Sequence, residues 1–320
     1  MNATVSIPLW LFVLLLALAA VACLQWFLLP GVRWYFRRKV RRVLDEIQLR
    51  LKIELPQFKL TRRRALIDRL MSDPRVLAAA QQHGIETGKS AEAVKKQVLG
   101  YAREIVPAFN AYVYFRVGYW LAKTFARLVY RVRLGYTDDA AIAAINPKST
   151  VVFVMNHRSN MDYILVSFLA AEKVALSYAV GEWARIWPIQ GLIRAMGAYF
   201  VRRDSGDPLY RMVLQRYVQM ATEGGVPQAM YPEGGLTTDG RLRAPKLGLL
   251  DYMLKGFDPG AERDLVFIPV GINYDRVIED RSLLRKANPD AARSSLWHTL
   301  RVTGGQVFKQ MRLGLLGRRY

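Results

Sequence analysis

Residues 151–162 read VVFVMNHRSNMD, and the change of composition within this stretch decides the fold. Its five apolar residues, Val151–Met155, have the length and composition that predict a buried strand. His157 follows them, and Ser159 or Asn160 can cap a helix that begins directly afterwards. The stretch therefore predicts a strand, a turn and a helix in succession, with His157 at the carboxyl end of the strand.

The same alternation continues along the rest of the chain. β-Prone runs at 151–155, 175–180, 198–201, 227–231 and 265–274 are separated by helix-like segments. Strands that alternate with helices predict a mostly parallel sheet with helices on both faces, and near-continuous apolar strands suit a sheet buried on both sides. Parallel strands end at one edge of such a sheet, where ligands bind in open α/β folds. The predicted fold class is therefore α/β.

His157 and Asp162 form the first candidate site at this edge. A capped turn between them would let Asp162 reach back to the imidazole, although five residues separate the pair. A carboxylate that holds an imidazole fixes its tautomer and stabilises the imidazolium, which makes a better general base. The alternative interpretation is a histidine satisfied within a turn, with Asp162 placed favourably in the helix dipole.

Two further polar clusters follow predicted strands of the same sheet. They are Arg202 with Arg203 after the third strand, and Glu233 with Gly234 and Gly235 after the fourth. Arginine pairs are suited to clamping a phosphate, and a carboxylate can bind hydroxyl groups. Backbone amides beside glycine can approach a substrate closely. Together with His157, these clusters predict one shared site at the carboxyl edge.

Several other kinds of chemistry are excluded or disfavoured. The single cysteine, Cys23, lies in an apolar run, so a disulfide framework and a thiolate zinc site are excluded. The sequence has no GxSxG elbow, and Ser159, which a capping role explains equally well, is the nearest candidate nucleophile. No cluster has metal-ligand spacing, and no Walker or Rossmann loop is present, so we expect no metal and no bound cofactor.

The charge balance points to polyanionic partners. The 320 residues contain 47 Lys and Arg against 26 Asp and Glu, a net charge of +21. Anionic lipid headgroups, an acidic carrier protein and a phosphorylated substrate all suit such a surplus. Nucleic acid is a poor candidate because the basic residues are spread along the chain and no recognised binding motif is present.

The N-terminal residues predict a membrane anchor. From Val5 to Leu29 all but three residues are apolar, which is long enough to cross the hydrocarbon core and exceeds an ordinary secretory signal. The basic flank GVRWYFRRKVRR (31–42) predicts that the rest of the chain is cytoplasmic. We therefore expect a single-pass transmembrane anchor over 1–30, a basic helical membrane-associated region over 31–135 and the catalytic α/β domain over 136–320.

Four blocks of the sequence, three of which contain these polar clusters, taken in order resemble the glycerolipid acyltransferase family, which includes glycerol-3-phosphate and lysophosphatidate acyltransferases. The blocks are NHRSNMD (156–162), GAYFVRRD (197–204), YPEGG (231–235) and VFIPVGINYD (266–275). The resemblance implies that His157 is the general base and Asp162 its partner, and that a hydroxyl attacks the thioester of acyl-CoA or acyl-carrier protein. The substrate-binding residues that it implies are Arg158, Ser159, Arg202, Arg203, Glu233, Gly234, Gly235 and Lys246.

The third block carries a departure from this pattern. The blocks look more like the glycerol-3-phosphate branch than the lysophosphatidate branch, and both branches usually place an arginine soon after EGG. Here Leu236-Thr237-Thr238 follows instead, so we expect Lys246 or Arg241 to contact the phosphate. The acceptor is predicted to be glycerol 3-phosphate, with lysophosphatidate or another lysophospholipid as the alternative. The hypothesis from another class is a noncatalytic basic membrane-binding protein.

Overall fold

The computed structural model describes most of the chain from residue 55 onward. The described residues are 8–10, 12, 13, 16, 55–170, 175–181, 185, 189–202, 205–261, 263–279, 304, 305, 308, 309 and 312. Met1–Lys52 and Ile53–Tyr320 are two separate compact units. The membrane span predicted over residues 5–29 lies largely outside the described residues. Within the part that is described, no helix combines the length and the apolar character needed to cross a bilayer.

Five parallel strands form the centre of the second unit. They are β1 (Thr150–Met155), β2 (Ser177–Val180), β3 (Tyr199–Phe200), β4 (Gln228–Met230) and β5 (Leu265–Val270). Their order in the sheet is β3-β2-β4-β1-β5, with every recorded pairing parallel. Each predicted β-prone run overlaps one strand, so the predicted α/β class is confirmed.

Helices surround this sheet. They are α1 (Gln57–Leu60), α2 (Arg63–Met71), α3 (Pro74–Thr87), α4 (Ala91–Ile105), a π-helical turn (Val113–Gly118) that runs into α5 (Tyr119–Val129), α6 (Asp139–Ala143), α7 (Met161–Ala170), α8 (Ile189–Ala195), α9 (Pro208–Glu223) and α10 (Gly248–Leu254). Side chains of a strand alternate between the two faces of the sheet. Val152 packs in a core built with α2, α3, α4 and α9, while Met155 packs in another that contains Val166 of α7. Helices therefore cover both faces.

The region before the sheet is part of the same core. Leu66 of α2 and Ile105 of α4 are buried in one apolar cluster with Val152 of the sheet. The predicted division at residue 135 therefore does not coincide with a break in this packing, and membrane association of 31–135 stays a prediction. A glycine within a helical pattern, such as Gly84, predicts a break, but this prediction is wrong here. The helix continues to Thr87 and ends at Gly88, whose φ of 64° is the left-handed conformation that favours glycine.

The aromatic segment 108–134 is both buried and exposed. Tyr114 and Ala126 are buried, and α5 packs against α7. Trp120 on the same helix is 61% exposed. Aromatic residues at helical spacing, with basic residues among them, fit either a core helix or a membrane-facing one. The structure gives this segment one buried face and one exposed face.

Candidate active site

His157 and Asp162 meet at the carboxyl end of β1. The chain turns after the strand, and the Asp162 amide donates a hydrogen bond to the Ser159 carbonyl at 3.0 Å. This turn places His157 Nδ1 2.9 Å from Asp162 Oδ2, although the residues are five positions apart. The histidine is 2% exposed and the aspartate 0%. The pair is thus a buried hydrogen-bonded couple.

The Asp162 carboxylate is saturated with donors. Besides His157 Nδ1, its Oδ2 accepts from the amides of Arg158 at 2.7 Å and Ser159 at 3.1 Å. Its Oδ1 accepts from the Tyr274 hydroxyl at 2.6 Å. Burial raises the pKa of Tyr274, and the adjacent charge of Asp162 raises it further, so this phenol remains a neutral donor. A carboxylate that only accepts places the proton on Nδ1, which leaves Nε2 as the basic nitrogen of His157.

The backbone of His157 is held from the segment that follows β4. Its amide donates to Glu233 Oε1 at 3.1 Å, and its carbonyl accepts from the Thr237 amide at 3.2 Å. The imidazole stacks on the Tyr231 ring with centroids 4.3 Å apart, and the edge of Tyr163 packs against it. The other oxygen of Glu233, Oε2, is buried and has no hydrogen-bond partner among the described residues. The carboxylate that holds the His157 amide therefore keeps one acceptor unused within the described residues.

Ser159 and Arg158 occupy the turn between the pair. The Ser159 hydroxyl accepts from the Met161 amide at 3.0 Å, which caps α7, and it donates to Glu279 Oε2 at 2.7 Å. The Asn160 amide donates to the other oxygen of Glu279 at 3.1 Å. Ser159 is fully buried, so its hydroxyl is used within the protein. The guanidinium of Arg158 lies beside the backbone of the loop after β4.

A cavity of about 390 Å³ opens beside His157, at the carboxyl ends of β2, β3 and β4. Its described lining residues include three cations, Arg202, Arg211 and Lys246, and no carboxylate. The remaining wall is mostly apolar and aromatic, with Leu214, Met230, Tyr231, Leu249 and Tyr252 among its members. One wall of the cavity therefore carries a base and the adjoining surface carries positive charge.

Arg202 is rigidly held by a residue from the helical region. Its Nε and Nη2 donate to the two oxygens of Glu104 at 2.9 and 2.7 Å, and its guanidinium lies over the rings of Tyr101 and Tyr210. Hydrogen bonding to Glu104 raises the pKa of Arg202. Arg185 also donates to Glu104. Arg203, the second predicted phosphate ligand, lies outside the described residues.

Lys246 passes over the glycines of the third block. Its amide donates to the Pro232 carbonyl at 2.7 Å, and a Cβ on Gly234 would lie 3.0 Å from Lys246 Cδ. Gly234 has a φ of 65° and its amide donates to the Tyr231 carbonyl, so this amide is used in the turn. Gly235 is buried, and Arg241 is exposed and absent from the described cavity wall. Of the two cations expected to replace the arginine after the third block, Lys246 lines the described cavity and Arg241 does not.

Sequence patterns missed three residues that organise this site. Glu104, Tyr274 and Glu279 each bond a candidate site residue or its loop, from positions 98, 112 and 120 residues away in the chain. Glu104 belongs to a region in which the sequence indicated no chemistry. Within the described residues, no group of three or more His, Cys, Asp or Glu side chains is arranged to hold a metal ion.

The chain is similar in sequence to a known protein family and to several curated relatives. Residues 139–273 match the family model described as Acyltransferase. The chain is 31% identical over 268 residues to the glycerol-3-phosphate acyltransferase of Xanthomonas campestris pv. campestris, covering 82% of this chain and 30% of that protein. It is 29% identical over 264 residues to the glycerol-3-phosphate acyltransferase of Xylella fastidiosa, covering 81% and 30%. The chain thus spans about 30% of the length of these curated relatives.

A solved structure was also matched at a lower level. The crystal structure of the 1-acyl-sn-glycerophosphate (LPA) acyltransferase PlsC from Thermotoga maritima gives a TM-score of 0.34 at 17% identity, covering 64% of this chain and 80% of that one.

The fold and the site define an α/β domain that carries a buried His–Asp pair at the carboxyl edge of a parallel sheet. Residues 139–273 match the acyltransferase family model, and the resemblance to glycerolipid acyltransferases drawn from the four blocks is confirmed.

Proposed function

We propose that the chain transfers a fatty acyl group from acyl-CoA or acyl-carrier protein to a hydroxyl of glycerol 3-phosphate, with His157 as the general base. The observation that carries the proposal is the His157–Asp162 couple, whose histidine lines a cavity that holds three cations. The relatives named glycerol-3-phosphate acyltransferases support the choice of acceptor. No cofactor is needed, because the acyl donor is itself a substrate.

The reaction can be written with this chain's own residues. Nε2 of His157 takes the proton of the acceptor hydroxyl as its oxygen attacks the thioester carbonyl carbon. The carbon–sulfur bond then breaks, and the imidazolium returns the proton to the thiolate that leaves. Asp162 stabilises the imidazolium through Nδ1, because its four donors hold the carboxylate in one orientation. The products are an ester and a free thiol, so no acyl-enzyme is required.

The cations of the cavity suit the charge of these substrates. A phosphate group on the acceptor would meet Lys246 and the held guanidinium of Arg202. In this arrangement the buried Oε2 of Glu233 accepts a hydrogen bond from a free hydroxyl of the glycerol phosphate. Ser159 is better explained as a cap than as a ligand of the substrate.

The membrane placement belongs to the same proposal. Residues 1–30 anchor the chain in a single pass, and the basic region 31–135 lies along anionic headgroups on the cytoplasmic side. The apolar residues 5–29 and the basic flank 31–42 support this arrangement. An acyl product would then be delivered directly into the bilayer.

The decisive experiment measures thioester consumption by the full chain in lipid vesicles. An acceptor panel of glycerol 3-phosphate, lysophosphatidate, other lysophospholipids and glycerol is tested with labelled acyl-CoA and acyl-carrier protein. We expect glycerol 3-phosphate to be used best, and His157→Ala to lower kcat by at least about 10²-fold, because the general base is lost. His83→Gln is the matched control, since His83 lies on α3 and is not among the described residues that line the cavity.

Three outcomes separate the alternatives. Preference for lysophosphatidate or another lysophospholipid would replace the acceptor and keep the reaction. Near-normal turnover by His157→Ala would refute the role of the base. No thioester consumption with any acceptor, in a protein that still binds vesicles, would favour a noncatalytic membrane-binding protein.

A further inference from the structure

Arg211 is a cation of the cavity that no motif indicated. It lies in the first turn of α9, which begins at Pro208, and it lines the same cavity as His157 and Lys246. Its side chain is exposed and makes no hydrogen bond or ion pair with another described residue. Its charge is close enough to Tyr252, on the same wall, to oppose the rise in pKa that burial causes in that phenol.

The other two cations of the cavity already interact with groups of the protein, whereas the side chain of Arg211 has no hydrogen bond or ion pair with a described residue. Two donor nitrogens of Arg202 are taken by Glu104, and Lys246 also has an interaction within the protein. Glu104 balances the charge of Arg202 from outside the cavity, and none of the described lining residues is a carboxylate that could balance Arg211. A cavity with this balance attracts an anion, and a guanidinium with free donors binds phosphate oxygens in pairs.

The sequence after the third block gives this cation a specific role. The resemblance expects an arginine soon after Gly235, and this chain has Leu236 and two threonines. Arg241, one of the expected replacements, is exposed and is not on the described cavity wall. An arginine for the cavity therefore comes from another element, the start of α9.

We propose that Arg211 binds a phosphate group of a substrate in this cavity, beside Lys246. The phosphate belongs either to the acceptor or to the acyl donor, since both would carry the same oxygen chemistry. The choice between them rests on the proposed function, whereas the binding of a phosphate by Arg211 does not require turnover.

Binding is measured first, by calorimetry on the full chain in vesicles of neutral lipid. Glycerol 3-phosphate, inorganic phosphate and CoA, which carries a 3′-phosphate, are titrated. Glycerol is the uncharged control. We expect Arg211→Gln to weaken one or more of the phosphorylated probes by about 10- to 100-fold, because a charge-assisted hydrogen bond is lost. Arg211→Lys should recover part of the affinity. Arg69→Gln removes an equal charge from an exposed position on α2 and should change nothing.

Steady-state kinetics then identify which substrate carries the phosphate. If it is the acceptor's, Arg211→Gln raises KM for glycerol 3-phosphate by about 10- to 100-fold and leaves KM for the donor unchanged. If the phosphate belongs to the acyl donor, Arg211→Gln raises KM for the donor and leaves KM for glycerol 3-phosphate unchanged. In both cases kcat stays within about threefold, because Arg211 takes no part in proton transfer.

The remaining outcomes are also decisive. The proposal is wrong if Arg211→Gln leaves the affinity for every probe and both KM values within about twofold of the parent chain, or if the parent chain binds none of the phosphorylated probes. If the parent chain turns over no acyl donor but loses phosphate affinity in Arg211→Gln, the phosphate site stands and the proposed function fails.

Discussion

The loop after β1 and the segment after β4 both reach His157, but the protein uses their polar groups to different extents. In the first, Asp162 accepts from four donors, so both carboxylate oxygens are engaged. In the second, Glu233 accepts from the His157 amide through one oxygen, while the other is buried without a described partner. A saturated carboxylate can act only on the groups that it already holds. A half-used one keeps an acceptor for a ligand or a water molecule.

Asp162→Asn gives the strongest test of the saturated side. The amide can present only one acceptor oxygen, so it must leave donors unpaired and can turn its NH2 toward His157 Nδ1. The imidazole would then hold its proton on the wrong nitrogen, and we expect kcat to fall by about 10²- to 10⁴-fold. The measurement is kcat under saturating acceptor and donor, with the unfolding temperature recorded in parallel.

A double-mutant cycle controls that prediction. If Asp162 acts only through His157, Asp162→Asn should lower kcat little further in the His157→Ala background. Losses that multiply in the double variant would show that Asp162 has an independent role, and the comparison between the two carboxylates would fail on that side.

The contrast also shows what the sequence could predict. The apolar run 151–155 and the spacing from His157 to Asp162 indicated a strand, a turn and a nearby carboxylate, because these are local features. The saturation of Asp162 depends on Tyr274, which β5 brings in from 112 residues away. Side-chain partners of that kind depend on strand order, and no local pattern encodes it.

The same limit applies to the cations. The pattern FVRRD placed Arg202 at a strand end, but its partner Glu104 lies on α4, in a region that indicated only helices. Arg211 reads as an ordinary exposed position of an amphipathic helix, since Leu209 and Tyr210 beside it are buried. Its place on the cavity follows from how α9 packs on the sheet. Ser159 was assigned to the substrate because its motif position outweighed the equally local capping signal.

Glu233→Gln tests the half-used side and should have an intermediate effect. The variant can still accept from the His157 amide through its remaining oxygen, but the free acceptor becomes an NH2 group. If Oε2 binds a substrate hydroxyl, kcat/KM for the acceptor should fall by about tenfold or more, because a buried hydrogen bond is lost and a donor faces a donor. Acceptor titrations at saturating donor measure this value.

Glu92→Gln is the matched control for that variant, since Glu92 is exposed in the first turn of α4. A Glu233→Gln enzyme with parent kcat/KM would mean that Oε2 meets no substrate. Glu233 would then be a positioning residue for the His157 backbone, and both carboxylates would serve the histidine alone.

Ser159→Ala should have the smallest effect on activity, because the saturated loop uses this hydroxyl internally. The substitution removes the cap of α7 and leaves Glu279 Oε2 without that donor, so we expect a loss of about 1–3 kcal/mol of unfolding free energy. The KM for the acceptor should stay within about twofold, since losing a cap removes no contact with a ligand. Ser90→Ala, which removes the exposed cap of α4, should cost only about 0.5–1 kcal/mol, because no buried carboxylate depends on that hydroxyl. A large rise in KM at unchanged stability would reverse this assignment and return Ser159 to the substrate, as its position in the first block had implied.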